Sequence, residues 1–195
     1  MGSYPPELPE IFGAAWPTFT EADFELIKQP LDFLGINYYS RQVVRHDPAD
    51  WPLAAARVRQ PQQTHTGLGW EVYPQGLTDI LEWVAGRYGP LPLYVTENGS
   101  AFYDPPHTKG EIADPLRQAY LRAHLRAVLE ARRNGVDVRG YFAWSLLDNF
   151  EWAYGYSQRF GLVHVDYATQ QRTPKASARF YTEVIRGGGA ALGSD

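Results

Sequence analysis

Hydrophobic and polar positions along this chain switch between two periods. Residues 31–39 (LDFLGINYY) form a near-continuous apolar run, which predicts a strand buried on both faces, as parallel strands are. On such a strand Asn37 and Tyr39 share one face, because side chains alternate. After Pro74, apolar residues recur at helical spacing (Leu77, Ile80, Leu81, Val84, Tyr88) until Gly89-Pro90. That is a helix with its expected start and stop residues. Residues 93–99 (LYVTENG) follow as a short buried strand that runs into Glu97, with Asn98-Gly99 turning the chain away. Asp114 and Pro115 then make an N-cap and N1 pair. The helix they open carries Leu121, Leu125 and Val128 on one stripe, with Arg117, Arg122, Arg126 and Glu130 mostly solvated, and ends at Asn134-Gly135. Residues 138–145 predict a third strand with Gly140, Phe142 and Trp144 on one face. A last helix runs from Pro174 to Ile185 and stops at three glycines, 187–189.

Between these elements the pattern weakens. Thr20 is an N-cap candidate for a short helix over 20–27, with Asp23 three residues on. Residues 41–73 form a long irregular stretch, 104–110 a loop, and 160–165 a short extension or hairpin arm. The order is helix, strand, helix, strand, helix, strand, helix. Strands alternating with helices argue for parallel βα units. One domain is expected over 1–186, with 187–195 as a flexible tail.

Composition changes this picture little. The chain has 195 residues, 44% hydrophobic and 21% charged, an ordinary globular balance. A net charge of -4 with no basic run argues against nucleic acid as a partner. No apolar stretch reaches the length of a membrane span. Residues 1–6 lack a charged n-region and an apolar core, so the cytoplasm is the expected compartment. With no cysteine, disulfides, thiolate catalysis and zinc–thiolate sites are excluded. There is no glycine-rich nucleotide fingerprint and no metal-ligand spacing, so neither cofactor nor metal is expected. The five histidines are scattered, and His124, inside a helix, is expected to be structural. Aromatic residues make 14% of the chain. They fit a large aromatic core, or a platform for a ligand with flat apolar faces such as a pyranose ring.

The chemistry gathers at strand ends. A carboxylate at the carboxyl end of a barrel strand is where a catalytic group sits. Glu97 equally fits a capping or ion-paired glutamate in a loop. Its neighbours in kind are Asn37 and Tyr39 after the first predicted strand and Trp144 after the third, with Glu151 and Trp152 in the next loop. A carboxylate, a phenol, an amide and indoles facing one cleft suit glycoside chemistry. The carboxylate attacks an anomeric carbon or stabilises an oxocarbenium ion. The phenol orients it, indole faces pack on sugar C–H groups, and a second carboxylate accepts bonds from hydroxyls.

These residues resemble glycoside hydrolase family 1, the β-glucosidases and their relatives. The matching segments are 32–39 (DFLGINYY), 94–99 (YVTENG), 140–152 (GYFAWSLLDNFEW), 159–162 (RFGL) and 172–177 (RTPKAS). They span nearly the whole chain, in the family's order and roughly its spacing. The resemblance implies an α/β fold: about three βα units, strands 6 to 8, of the C-terminal portion of a (β/α)8 TIM barrel. It implies a retaining β-glucosidase with Glu97 as nucleophile and Tyr39 as its hydrogen-bonding partner. Asn37 would lie in the glycone pocket and Trp144 under the sugar. Glu151 would accept from the 4- and 6-hydroxyls, Trp152 would lie near the 3-hydroxyl, and Phe160 would line the 6-hydroxyl end. A carboxylate at Glu151 repels a phosphate dianion at short range, so the glycone is expected to be unphosphorylated.

A retaining mechanism also needs an acid/base carboxyl roughly 5–5.5 Å from the nucleophile. The family supplies it from an Asn-Glu-Pro motif, which is absent from these 195 residues. The chain is therefore expected to be a C-terminal fragment, a split-enzyme piece or a truncated product, with the N-terminal half of the barrel as its partner and a β-glycoside as its substrate. The alternative is a non-catalytic sugar-binding or interaction module built from hydrolase parts.

Overall fold

The computed structural model describes residues 3–103 and 112–193; the loop expected over 104–110 lies outside them. In chain order the helices are α1 (Glu7–Phe12), α2 (Glu21–Ile27), α3 (Gln75–Tyr88), α4 (Pro115–Arg133) and α5 (Ala176–Arg186). The strands are β1 (Leu34–Asn37), β2 (Val44–His46), β3 (Ala55–Arg57), β4 (Leu93–Asn98), β5 (Val138–Ala143), β6 (Val163–Val165) and β7 (Arg172–Pro174). The chain divides into two compact units, residues 1–32 with 42–60 and residues 33–41 with 61–195; a single domain over 1–186 is expected from the sequence.

The first unit holds α1, α2 and the antiparallel β2–β3 hairpin, in which Val44 faces Arg57 and His46 faces Ala55. Helix α2 starts at a full capping box. The Thr20 hydroxyl accepts from the Asp23 backbone N–H, and the Asp23 carboxylate accepts from the Thr20 N–H at 2.8 Å, so two otherwise unpaired donors are satisfied. The β2–β3 hairpin lies inside the stretch that sequence pattern alone leaves irregular.

The second unit is built on a three-stranded parallel sheet in the order β1-β4-β5. Helices α3 and α4 cover one face. Leu77, Leu81 and Val84 from α3, with Val128 and Ala131 from α4, bury against Leu93, Val95 and Val138. Each such aliphatic side chain contributes about 1.5–3 kcal/mol by leaving water. A second core joins Leu121 and Leu125 of α4 to Phe180 and Val184 of α5, with Leu162 and Leu192.

Several expectations change. The apolar run 31–39 yields only a four-residue strand, and it is not buried on both faces. Phe33, Gly35 and Asn37 are exposed while Leu34 and Ile36 face the helices, because the described helices of this unit pack on one side of the sheet. Arg117 is not solvated: it is 1% exposed and donates to Asp114 at 2.6 Å. Asp114 holds the N-cap position with Pro115 in the first turn, but its side chain makes no capping bond. It accepts instead from the Ser177 N–H at 2.8 Å and the Ser177 hydroxyl at 2.5 Å. Arg122 and Arg126 donate to the carbonyls of Ala191 and Leu192, at 2.6 and 3.0 Å. The described part of the expected flexible tail therefore forms a short 3-10 turn, with Leu192 2% exposed. Pro174 does not open the last helix. It belongs to β7, which pairs antiparallel with β6, so 160–165 contributes a hairpin arm and α5 starts at Ala176.

Candidate functional site

The site is assembled at the carboxyl ends of β1, β4 and β5. In the β1–β4 register Asn37 faces Glu97, after an irregularity between Ile36 and Asn37. Asn37 is exposed, and its side-chain oxygen accepts from Thr96 Oγ1 at 2.7 Å. Just beyond β1, Tyr38 N–H donates to the Glu97 carbonyl at 2.9 Å, continuing the ladder by one bond. That places Tyr39 beside the Glu97 side chain, and its hydroxyl donates to Oε2 at 2.8 Å.

Burial, the hydrogen bond to Glu97 and the charges of Glu97 and Glu151 hold the Tyr39 phenol well above its ordinary range. It therefore remains a donor wherever the carboxylate is ionised. One carboxylate oxygen is fixed by this bond, and the orientation of the other follows.

Rings pack around the pair. Phe160, 3% exposed, stands edge-on to Tyr39 with centroids 6.2 Å apart. Trp70 stands edge-on to Tyr39 at 5.3 Å and tilts against Phe160 at 6.1 Å. A tight turn presents Trp70: Thr66 N–H donates to the Trp70 carbonyl at 2.8 Å, and Gly69 N–H to the Thr66 carbonyl at 2.9 Å. The sequence holds a signal for this residue in the Gly67-Leu68-Gly69 turn before it, hidden in a stretch with no periodicity.

Across the sheet, Trp144 follows β5 and its N–H donates to the Asn98 carbonyl at 2.9 Å. Its side chain is 36% exposed. Glu151 stands in the loop that follows. Burial raises its carboxyl above the usual range, a hydrogen bond from the Trp144 side chain opposes the rise, and the charge of Glu97 adds to it. The structure thus brings together Tyr39, Glu97, Phe160, Trp144 and Glu151. Trp152 follows Glu151 directly and is 82% exposed, with a backbone φ of 41°; among the described residues no hydrogen bond or ring contact joins it to Tyr39 or Glu97.

Two buried devices hold the site. Asn98, 0% exposed, bonds through its side chain to α4, to β5 and to the residue that follows β1. Sequence reading takes it for a turn residue. Asp148, whose side chain is fully buried, accepts from Arg159 at 2.7 Å, Lys175 at 3.0 Å and the Gly161 N–H at 2.9 Å. Two cations and a backbone donor around one carboxylate supply the compensation that a buried charge requires. They fix both the loop that carries Glu151 and the segment that carries Phe160.

The arrangement has an ionisable carboxylate oriented by a phenol, an open aromatic face and a second carboxylate with acceptor capacity. Among the described residues no group of His, Asp and Glu side chains is placed to hold a metal ion. Such a site suits a neutral, hydroxyl-rich ligand with an electrophilic carbon.

Comparison with known proteins agrees with this chemistry. The model of glycosyl hydrolase family 1 matches residues 1–190. The chain is 46% identical over 190 residues to a 1,4-beta-D-glucan glucohydrolase of Thermotoga neapolitana, covering 96% of this chain and 42% of that protein. It is 43% identical over 188 residues to beta-glucosidase A of Thermotoga maritima, with the same coverage of 96% and 42%. A solved family 1 β-glucosidase from Thermotoga maritima superposes with a TM-score of 0.90 at 41% identity, covering 100% of this chain and 42% of that one. The α/β architecture is that of the TIM-barrel β-glucosidases, and the chain spans about two fifths of the length of these curated relatives.

Proposed function

The chain belongs to glycosyl hydrolase family 1, and on that premise we propose that it carries the nucleophile side of a retaining β-glucosidase site, with Glu97 as nucleophile and Tyr39 as the residue that orients it. The observation that carries this reading is the 2.8 Å hydrogen bond from Tyr39 to Glu97 Oε2. Glu97 attacks the anomeric carbon, a carbon–oxygen bond forms, and the leaving group departs with its electron pair. Trp144 supports the sugar ring, Glu151 accepts from its hydroxyls, and Phe160 closes one end. Asn37 and Trp152 line the glycone side. The substrate is an unphosphorylated β-glucoside or related glycoside.

The three parallel strands act as strands 6 to 8 of a (β/α)8 barrel, and complementary polypeptide supplies the acid/base carboxyl. Supporting this are the outer edges of β1 and β5, which no strand pairs among the described residues and which bare backbone groups that seek a paired strand. A groove of about 380 Å³ beside β5, lined by Phe142, Leu146, Tyr181 and Ile185 among others, supports it too. An alkoxide leaving group needs protonation, so the chain by itself acts only on substrates with good leaving groups.

The test is exposure to 2-deoxy-2-fluoro-β-D-glucosyl fluoride, from which fluoride leaves without a proton. One fluoroglucosyl group should be found on the peptide that contains Glu97, and none in Glu97→Gln. Sugar binding without any covalent mass would instead favour a binding module.

A further inference from the structure

We propose that Asn98 is a positioning residue for the Tyr39–Glu97 pair, acting through the backbone of residues 38 and 39; this rests on the reading of Glu97 as nucleophile. An asparagine before a glycine at a strand end ordinarily bonds to its own turn. Asn98 does not. Its partners lie 60, 22 and 43 residues away: the Tyr38 carbonyl at 2.6 Å, the Tyr120 hydroxyl at 3.0 Å and the Tyr141 hydroxyl at 2.6 Å.

The direction of every bond in this set is fixed. A carbonyl only accepts, so the side-chain amide nitrogen must face Tyr38. Its second proton then goes to the Tyr120 oxygen. Tyr120 spends its own proton on the Tyr39 carbonyl, at 3.3 Å, and Tyr141 donates to Asn98 Oδ1. Burial keeps the Tyr120 and Tyr141 phenols protonated, well above their ordinary range. The carbonyls of both residue 38 and residue 39 are thus held by the residue next to Glu97, one directly and one through Tyr120. The second of these two residues, Tyr39, delivers the hydroxyl that orients Glu97. β1 itself ends at Asn37, so beyond it this set and the Tyr38 N–H bond hold the backbone of Tyr39, while Trp70 and Phe160 pack against its ring.

The test uses the full chain with carboxyl-13C glutamate, the Glu97 resonance being assigned by its loss in Glu97→Gln. In Asn98→Ala that resonance should move from its wild-type position to the one seen in Tyr39→Phe. With the fluoroglucosyl fluoride, the saturating rate of Glu97 labelling should fall about tenfold or more, while the half-saturating concentration changes by less than about threefold. A purely structural role would reduce the labelled fraction and leave the rate of each folded molecule unchanged. An unmoved resonance in folded Asn98→Ala overturns the proposal, whatever the sugar does. If the resonance moves but wild-type protein takes up no label, the nucleophile reading fails and the positioning contact stands. If Asn98→Ala loses the near-ultraviolet signature of a packed core, Tyr120→Phe decides on the same two readouts. It removes only the hydroxyl that links Asn98 to residue 39, and a wild-type resonance and rate in that variant overturn the proposal.

Discussion

Tyr39 and Glu97, 58 residues apart in sequence, meet through a single hydrogen bond of 2.8 Å. A hydrogen bond to an ionised group is worth about 1.5–3 kcal/mol net. Removing the hydroxyl in Tyr39→Phe frees the carboxylate to adopt unproductive orientations. The rate of Glu97 labelling by the activated fluoro-sugar should fall roughly 10- to 100-fold at saturation. Single-turnover mass spectrometry measures it, and an unchanged rate would remove Tyr39 from the mechanism.

Glu151 is expected to bind sugar hydroxyls as an ionised acceptor. Its carboxyl sits above the usual range, chiefly through burial. As pH falls through that raised value the acceptor gains a proton, so glycone binding weakens at a higher pH than an exposed carboxylate would produce. Glu151→Gln should lose this acid limb. Glu151→Ser should weaken glucose binding about tenfold or more at neutral pH. Titration calorimetry across the acid range checks both, and equal binding by wild type and Glu151→Ser would end the assignment.

The fold was legible in sequence where one period dominated. Leu77, Leu81 and Val84 predict α3, and Leu121, Leu125 and Val128 predict α4, because each stripe is buried: the first stripe and Val128 against the sheet, Leu121 and Leu125 against α5. Leu93 and Val95 gave β4 for the same reason. Arg117 was not legible, since a charge at a helical position reads as solvated until Asp114 and the Ser100 carbonyl are brought to it. Trp70 was hidden by an aperiodic stretch, and Asn98 by a residue type that normally marks turns. Glu97 and Tyr39 could be named one by one. Their contact depends on the β1–β4 register, which follows from packing and not from local pattern.

His124 is 0% exposed, stacks on Tyr120 at 3.8 Å between centroids, and bonds to the Tyr120 carbonyl through Nδ1. Burial lowers its pKa from 6.5 to about 4. A depressed histidine favours the neutral folded form. Its contribution is fully present above the unfolded value near 6.5 and is lost as pH falls toward 4. Stability should drop by about 3 kcal/mol across that window, at 1.36 kcal/mol per unit. His124→Phe should flatten the drop. Urea unfolding at stepped pH measures it, and parallel curves for the two proteins would contradict the assignment.

Gly99 passes against β5's continuation. A Cβ there would lie 1.8 Å from the Trp144 carbonyl oxygen, a backbone atom that cannot swing aside. Gly99→Ala should cost about 3 kcal/mol or more, at or above the top of the usual range for overpacking and forced backbone shifts. Thermal unfolding checks this, and a melting point within a few degrees of wild type would refute the close approach.

Asn98-Gly99 is also the dipeptide most prone to spontaneous deamidation, in which the glycine nitrogen closes on the asparagine side-chain carbon and ammonia leaves. Ring closure needs the side chain to rotate, and here Tyr38, Tyr120 and Tyr141 grip both of its polar atoms. Chemical ageing at this point is therefore gated by local opening of the fold. A molecule that slips through carries an acid, or an isoaspartyl kink, beside Glu97. The protein's shelf life and the tightness of its tyrosine network become one quantity, and slow accumulation of that lesion in stored samples is a clock for how often the strand ends come apart.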